Sequence, residues 1–195
     1  MINFILACLF ILSTPGPGVL STAGLGAAYG FRAGLAYIAG LLIGSNLVMF
    51  AVVSGLATLV FQFNGLRIAL LIASTAYLLY LAARIAFAGS KVAFIRAEKQ
   101  PGFWAAVTLQ IINPKAYVVG TTMFSGFSIY PDALVTEVIV KMIILNTIWI
   151  PVHFAWLYAG ASLKKLNLTD TTQKAINIFM ALAMLAVVGL AAFST

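Results

Sequence analysis

Long apolar stretches separated by short polar ones set the layout of this chain. Apolar runs cover residues 2–29, 35–61, 66–88, 103–127, 133–161 and 175–193. Each is close to the roughly 20 residues an α-helix needs to cross a bilayer. None alternates with the period of two that a barrel strand requires. The pattern predicts an all-α integral membrane protein with six transmembrane helices. Gly30-Phe31-Arg32-Ala33-Gly34, Asn64-Gly65 and Tyr130-Pro131-Asp132 read as turns between runs, and Thr169-Asp170-Thr171-Thr172 as a helix N-cap. Gly40 and Gly44 form a Gly-x-x-x-Gly face suited to close helix contact. Pro151 is expected to kink the fifth helix.

Two of the runs are interrupted from within. Thr14-Pro15-Gly16-Pro17-Gly18 breaks the first and Asn113-Pro114-Lys115 breaks the fourth. Proline removes a backbone donor and blocks the carbonyl a turn earlier, and glycine loosens the chain at the same place. Such a break is tolerated in lipid only where it faces protein or a watery cavity. The longest polar stretch, 89–102, divides the chain into half one (1–88) and half two (103–195), joined by a cytoplasmic loop within a single membrane domain over 1–195. Each half holds three spans, an odd number, so a duplicated half inserts upside down. Pro15 and Pro114 stand about 99 residues apart, and Asn46 and Asn146 about 100, as two inverted three-helix repeats with a broken first helix would place them. The two breaks are expected to form one site.

Composition agrees with a membrane protein. The chain is 63% hydrophobic and 8% charged, where a soluble domain carries about a quarter charged residues. The net charge of +7 does not imply nucleic acid, because the basic residues lie between apolar runs and not on one soluble face. They act as topology signals. Arg32, Arg84, Lys91, Arg96, Lys99, Lys164, Lys165 and Lys174 flank loops one, three and five, whereas loops two and four hold Arg67 with Asp132 and Glu137. The first set predicts the cytoplasmic side, with both termini extracytoplasmic. The single cysteine, Cys8, excludes an internal disulfide, a Cys-x-x-Cys redox pair and a cysteine-rich metal site. Residues 1–12 lack a basic n-region and Ser13-Thr14-Pro15 is a poor cleavage site, so no removable signal peptide is expected.

Ionisable groups inside a membrane are costly and point to function by default. Lys115, directly after a break, reads either as the cation for a substrate carboxylate or as a lysine that bonds carbonyls freed by the break. Pro15, Gly16, Pro17 and Gly18 can expose amides at a half-helix N-terminus, an anion site, and carbonyls for an ammonium group. Asn46 and Asn146 either orient substrate or make interhelical hydrogen bonds. Tyr77, with Tyr80, is a pore wall or an interface anchor. His153, the single histidine, is a candidate proton carrier, as is Lys115. Lys141 is expected to pair with Glu137 structurally. The substrate-binding set is therefore Pro15, Gly16, Pro17, Gly18, Asn46, Tyr77, Asn113, Pro114, Lys115 and Asn146. No carboxylate stands at mid-membrane, which disfavours a cationic cargo, and one histidine with one cysteine supplies no metal site. No cofactor is expected. A zwitterion suits the available groups.

Taken in order, the Pro-Gly-Pro of run one with the glycines after it, the Tyr77 and Tyr80 segment of run three and the Asn113-Pro114-Lys115 of run four resemble the LysE/RhtB family of small bacterial amino-acid exporters. Pro15-Gly16-Pro17, Leu20, the glycines Gly30, Gly34, Gly40 and Gly44, and Gly55-Leu56 are similar to its N-terminal signature. Ala76-Tyr77-Leu78-Leu79-Tyr80-Leu81 leading to Arg84 looks like its third-helix motif, and Asn113-Pro114-Lys115-Ala116 like its fourth-helix motif. Ser74 and Ala82 replace the glycines usual in the third helix, and Ser125-Gly126-Phe127 stands where Pro-Gln-Phe is often found. The resemblance implies a multi-pass protein of the bacterial inner membrane that exports amino acids on the proton motive force and is not an enzyme. With no mid-membrane carboxylate, small neutral cargoes such as threonine, homoserine or leucine are favoured over basic amino acids or another small metabolite. The partners expected are an amino acid and the lipid bilayer, without nucleic acid and with a homodimer left open. A non-transporting scaffold would leave two matching breaks unexplained.

Overall fold

The computed structural model describes residues 1–14, 16–56, 65, 68, 69, 72, 73, 75–77, 79, 80, 83, 100–165, 169, 171, 172, 174, 175, 178, 179 and 182. Pro15, Asn64, Arg67, Ser74, Leu78, Leu81, Ala82, Arg84, Asp170, the loop 89–99 and most of runs three and six lie outside them. Six helices are complete: α1 (Ile2–Ser13), α2 (Pro17–Tyr29), α3 (Phe31–Val53), α4 (Phe103–Ile112), α5 (Pro114–Ser125) and α6 (Leu134–Lys165). There is no strand among the described residues. Helices α3 and α6 are each long and apolar enough to cross a bilayer, with mean hydropathies of 2.0 and 1.8. The pair α1 and α2 makes a third such length, bent by 49°.

Both expected interruptions occur, and each has a local cause. Thr14 closes α1 in an extended conformation and its hydroxyl bonds back to the Phe10 carbonyl at 2.7 Å. Gly16 is extended, and Pro17 then occupies the first turn of α2, where its missing N–H costs nothing. The second break repeats the device. Asn113 leaves the helix ahead of Pro114, as a residue before proline should. Its side chain accepts from the Lys115 N–H at 3.1 Å and so caps α5.

Other boundaries differ from the pattern. The turn expected at 30–34 shrinks to Gly30, whose φ of 90° reverses the chain in one residue, so α3 begins at Phe31 and takes in Arg32. Helix α3 ends at Val53, short of residue 61, because Ser54 and Gly55 turn the chain, Gly55 with φ 77°. Pro151 lies inside α6, which continues on both sides of it. The Thr169 hydroxyl oxygen accepts from the Thr172 N–H at 3.3 Å, the expected N-cap.

Close backbone approach holds the bundle together. A Cβ on Gly40 would fall 2.1 Å from the Phe103 carbonyl oxygen, and one on Gly44 2.7 Å from Gln110 Cβ, so the Gly-x-x-x-Gly face receives α4. Helix α2 meets α6 in the same way, with Gly160 against the backbone of Ala23. Two apolar clusters result. One joins Val19, Leu20, Tyr37, Leu41, Leu109, Trp149 and Leu157, the other Phe4, Cys8, Val48, Met49, Val119, Met123 and Leu145. Lys141 pairs with Glu137 at 2.6 Å, as expected, and donates to the Phe124 carbonyl at 3.0 Å and to that of Phe127. Glu137 accepts in turn from the Tyr130 N–H at 2.8 Å. This buried cation caps α5 from α6 and is satisfied at all three N–H bonds.

Gly160→Ala tests the packing. Its methyl would lie 2.0 Å from the Ala23 carbonyl oxygen, so the helices must separate at a cost of about 1–3 kcal/mol or more. The variant should melt earlier in detergent than wild type, read by tryptophan fluorescence; an unchanged melting point would refute the close α2–α6 contact.

Candidate functional site

The two breaks face each other. The Lys115 ammonium donates to the Thr14 carbonyl at 2.8 Å, across 101 residues of sequence. The cation of the second break thus satisfies an acceptor left open by the first. Beside this bond lies a cavity of about 80 Å³. A water needs roughly 10–15 Å³ of such space, so there is room for several waters or one small solute. All the helices α1–α6 contribute to its wall. Its polar lining comprises Thr14, Ser45, Asn46, Gln110, Asn113, Lys115, Asn146 and His153, and its apolar lining includes Met49, Val119, Leu145 and Trp149.

Asn46 and Asn146 form a closed amide pair. Each Nδ2 donates to the other's Oδ1 at 3.0 Å. Each also donates to the carbonyl four residues earlier in its own helix, Leu42 at 2.8 Å and Met142 at 2.9 Å. Both N–H donors of each amide are used, so what the pair can still offer a solute is acceptor capacity on the two oxygens.

A second network runs along α4. Asn113 donates to Gln110 Oε1 at 2.9 Å, and Gln110 Nε2 donates to the Ser45 hydroxyl. All three residues are buried. His153 is also buried, stacked on Trp149 with ring centroids 3.6 Å apart and planes at 15°. Its Nδ1 lies 2.9 Å from the Trp149 carbonyl oxygen. A carbonyl only accepts, so in the neutral ring the proton sits on Nδ1 and Nε2 carries the lone pair.

The expected site residues divide as follows. Gly16, Pro17, Gly18, Asn46, Asn113, Lys115, Asn146 and His153 line the cavity. Pro114 is the first residue of α5 and acts through the backbone, outside the lining. Tyr77 is also outside it, because its hydroxyl donates to the Ala105 carbonyl at 2.7 Å and its ring packs on the first apolar cluster. Pro15 lies outside the described residues. Gln110, Ser45 and Trp149 were not anticipated. Gln110 had a faint signal, a polar residue in an apolar run three positions before Asn113. Among the described residues no group of three or more His, Cys, Asp or Glu could hold a metal.

The family model described as LysE type translocator matches residues 9–194. The chain belongs to that family. Among curated relatives, this translocator is 28% identical over 172 residues to the cysteine/O-acetylserine efflux protein of Escherichia coli (strain K12), covering 88% of the chain and 86% of the relative. It is 31% identical over 148 residues to the cysteine/O-acetylserine efflux protein of Salmonella paratyphi A (strain ATCC 9150 / SARB42), covering 75% of each. No solved structure matches.

The Asn46–Asn146 pair makes a measurable claim. Alanine at either position should destabilise the translocator, and the double variant should lose less than the two single losses added together. The coupling should be about 0.6–1.7 kcal/mol, the scale of interhelical hydrogen bonds in membranes. Unfolding of the four proteins in mixed micelles measures it, and simple additivity would mean that the two amides do not bond each other.

Proposed function

We propose that this translocator exports small neutral amino acids from the cytoplasm across the bacterial inner membrane, driven by the proton motive force. The observation that carries the reading is the bond from Lys115 to Thr14 beside a cavity at both breaks. Two helices interrupted at corresponding positions are the pattern of a transporter's substrate site. Membership of a translocator family supports transport and not catalysis. Relatives named as cysteine/O-acetylserine efflux proteins support an uncharged amino-acid cargo. The cavity supports it too, since Lys115 supplies a cation to its lining and no carboxylate lines it to neutralise a second one. Threonine, homoserine, leucine and cysteine are the cargoes to try first.

The mechanism follows from alternating access. In the proposed architecture two inverted three-helix halves, 1–88 and 103–195, rock about the broken segments. Direct support is the Asn46–Asn146 pair, whose four hydrogen bonds repeat across the two halves with matched lengths. The halves exchange roles around it: α3 packs α4 along Gly40 and Gly44, and α6 packs α2 along Gly160. Cargo enters from the side of Arg32 and Lys174, taken as cytoplasmic by the positive-inside rule, and both termini lie outside. Lys115 receives the carboxylate. The proton carriers to test are His153 and Lys115, the ionisable side chains of the lining.

Proteoliposomes carrying the purified protein should move labelled threonine, homoserine, leucine or cysteine under an imposed proton gradient. Lys115→Met should lower flux at least tenfold while membrane expression stays normal. Absence of flux for the whole panel would sink the exporter reading, and full flux in the variant would leave Lys115 a purely structural cap. For orientation, a cysteine at Arg32 should react with an impermeant maleimide only in inverted vesicles; labelling of intact cells would reverse the topology.

A further inference from the structure

The two glycines of the first break carry different chemistry at their surfaces. A Cβ built on Gly16 would lie 2.9 Å from Lys115 Nζ. One built on Gly18 would lie 3.4 Å from His153 Nε2 and 3.9 Å from Gln110 Oε1. At Gly16 the Lys115 side chain itself occupies the place a side chain would take, so the glycine lets the cation pack on the break; at Gly18 room for one small group lies open before two acceptors. Both acceptors have capacity to spare. Nε2 of His153 holds a lone pair because its Nδ1 proton is committed to the Trp149 carbonyl, and nothing among the described residues donates to it. Oε1 of Gln110 receives one bond, from Asn113, and has a second lone pair. The ring is 4% exposed, stacked flat on Trp149, so its acceptor is aimed and not mobile.

Resting on the exporter reading, we propose that the Gly16–Gly18 segment measures the α-amino-acid head group: Lys115, packed on Gly16, takes the carboxylate, while His153 Nε2 and Gln110 Oε1 take the α-ammonium over Gly18. Gly16 caps α2 and Gly18 stands in its first turn, so the helix start fixes the two positions relative to each other. In an α-amino acid the carboxyl carbon and the amine nitrogen are about 2.5 Å apart, and a hydrogen bond of roughly 2.8 Å at each end brings the reach to about 8 Å. Each added methylene between the two groups lengthens the head by about 1.3 Å. The cargo side chain then points to Met49, Val119 and Leu145, which select for apolar or weakly polar groups. A proton and the substrate ammonium need the same lone pair on His153, so one excludes the other there, with Lys115 the other ionisable group of the lining.

The glycines make the test clean. At Gly18 the added methyl of alanine meets its neighbours at ordinary contact distance, so Gly18→Ala should fold while filling the ammonium position. In proteoliposomes wild type should carry labelled threonine, homoserine, leucine or cysteine. Excess unlabelled cargo should compete, whereas its analogue lacking the amine and its analogue lacking the carboxylate should each compete at least tenfold more weakly. Gly18→Ala and His153→Phe should each raise KM at least tenfold with a smaller change in kcat, and His153→Gln, which restores an acceptor, should recover part of the loss. Each variant's melting point, compared with wild type, reports folding separately. Equal competition by the amine-free analogue, or KM within twofold of wild type in a folded Gly18→Ala, would overturn the head-group assignment while leaving export intact. No flux of any amino acid in wild type would instead remove the exporter reading and this assignment with it.

Discussion

A peptide carbonyl inside a bilayer must find a donor, and water is scarce there. Leaving one unmet costs several kcal/mol. This chain creates such carbonyls twice, at Thr14 and around Asn113, and the remainder of its architecture follows from meeting that demand. The Lys115 ammonium reaches the Thr14 carbonyl, and the Lys141 ammonium closes the far end of α5 on the Phe124 and Phe127 carbonyls, while the Asn113 side chain accepts the Lys115 N–H that the second break leaves open. Helix α5 is thus held by a lysine at each end. One of these lysines opens on a cavity. The other is fully buried and neutralised by Glu137.

The main lines of this arrangement were readable from residue types alone. A proline flanked by glycines, or by an asparagine that can cap, breaks an apolar run, and the two broken helices meet. Equal spacing pointed to Asn46 and Asn146 as counterparts, and they are in contact. What spacing could not reveal is that their donors are spent on each other and on their own helices. That decision depends on rotamers and on the crossing of α3 and α6. Tyr77 shows the opposite limit. A tyrosine in a membrane helix reads equally as pore wall or anchor, and only packing places its hydroxyl on the Ala105 carbonyl. Gln110 was hidden because one amide in an apolar helix carries no periodicity.

Helix boundaries failed where a single glycine replaced a longer turn. Hydropathy averages over several residues, so it blurs a reversal made by Gly30 alone. Pro151 shows that a proline need not end a helix. A missing N–H is a defect of one bond, and a helix of 32 residues packed along α2 has many others to hold it.

The bond between Lys115 and Thr14 has a consequence for biogenesis. A ribosome delivers Thr14 to the membrane about a hundred residues before it delivers the lysine that satisfies it. Until then the Thr14 carbonyl lacks the Lys115 donor. It must wait near headgroups or water, so the first segment settles at its final depth only after α5 has inserted. Maturation of the N-terminal portion is in this sense timed by the C-terminal one, and a nascent chain truncated before Lys115 would remain open to membrane quality control.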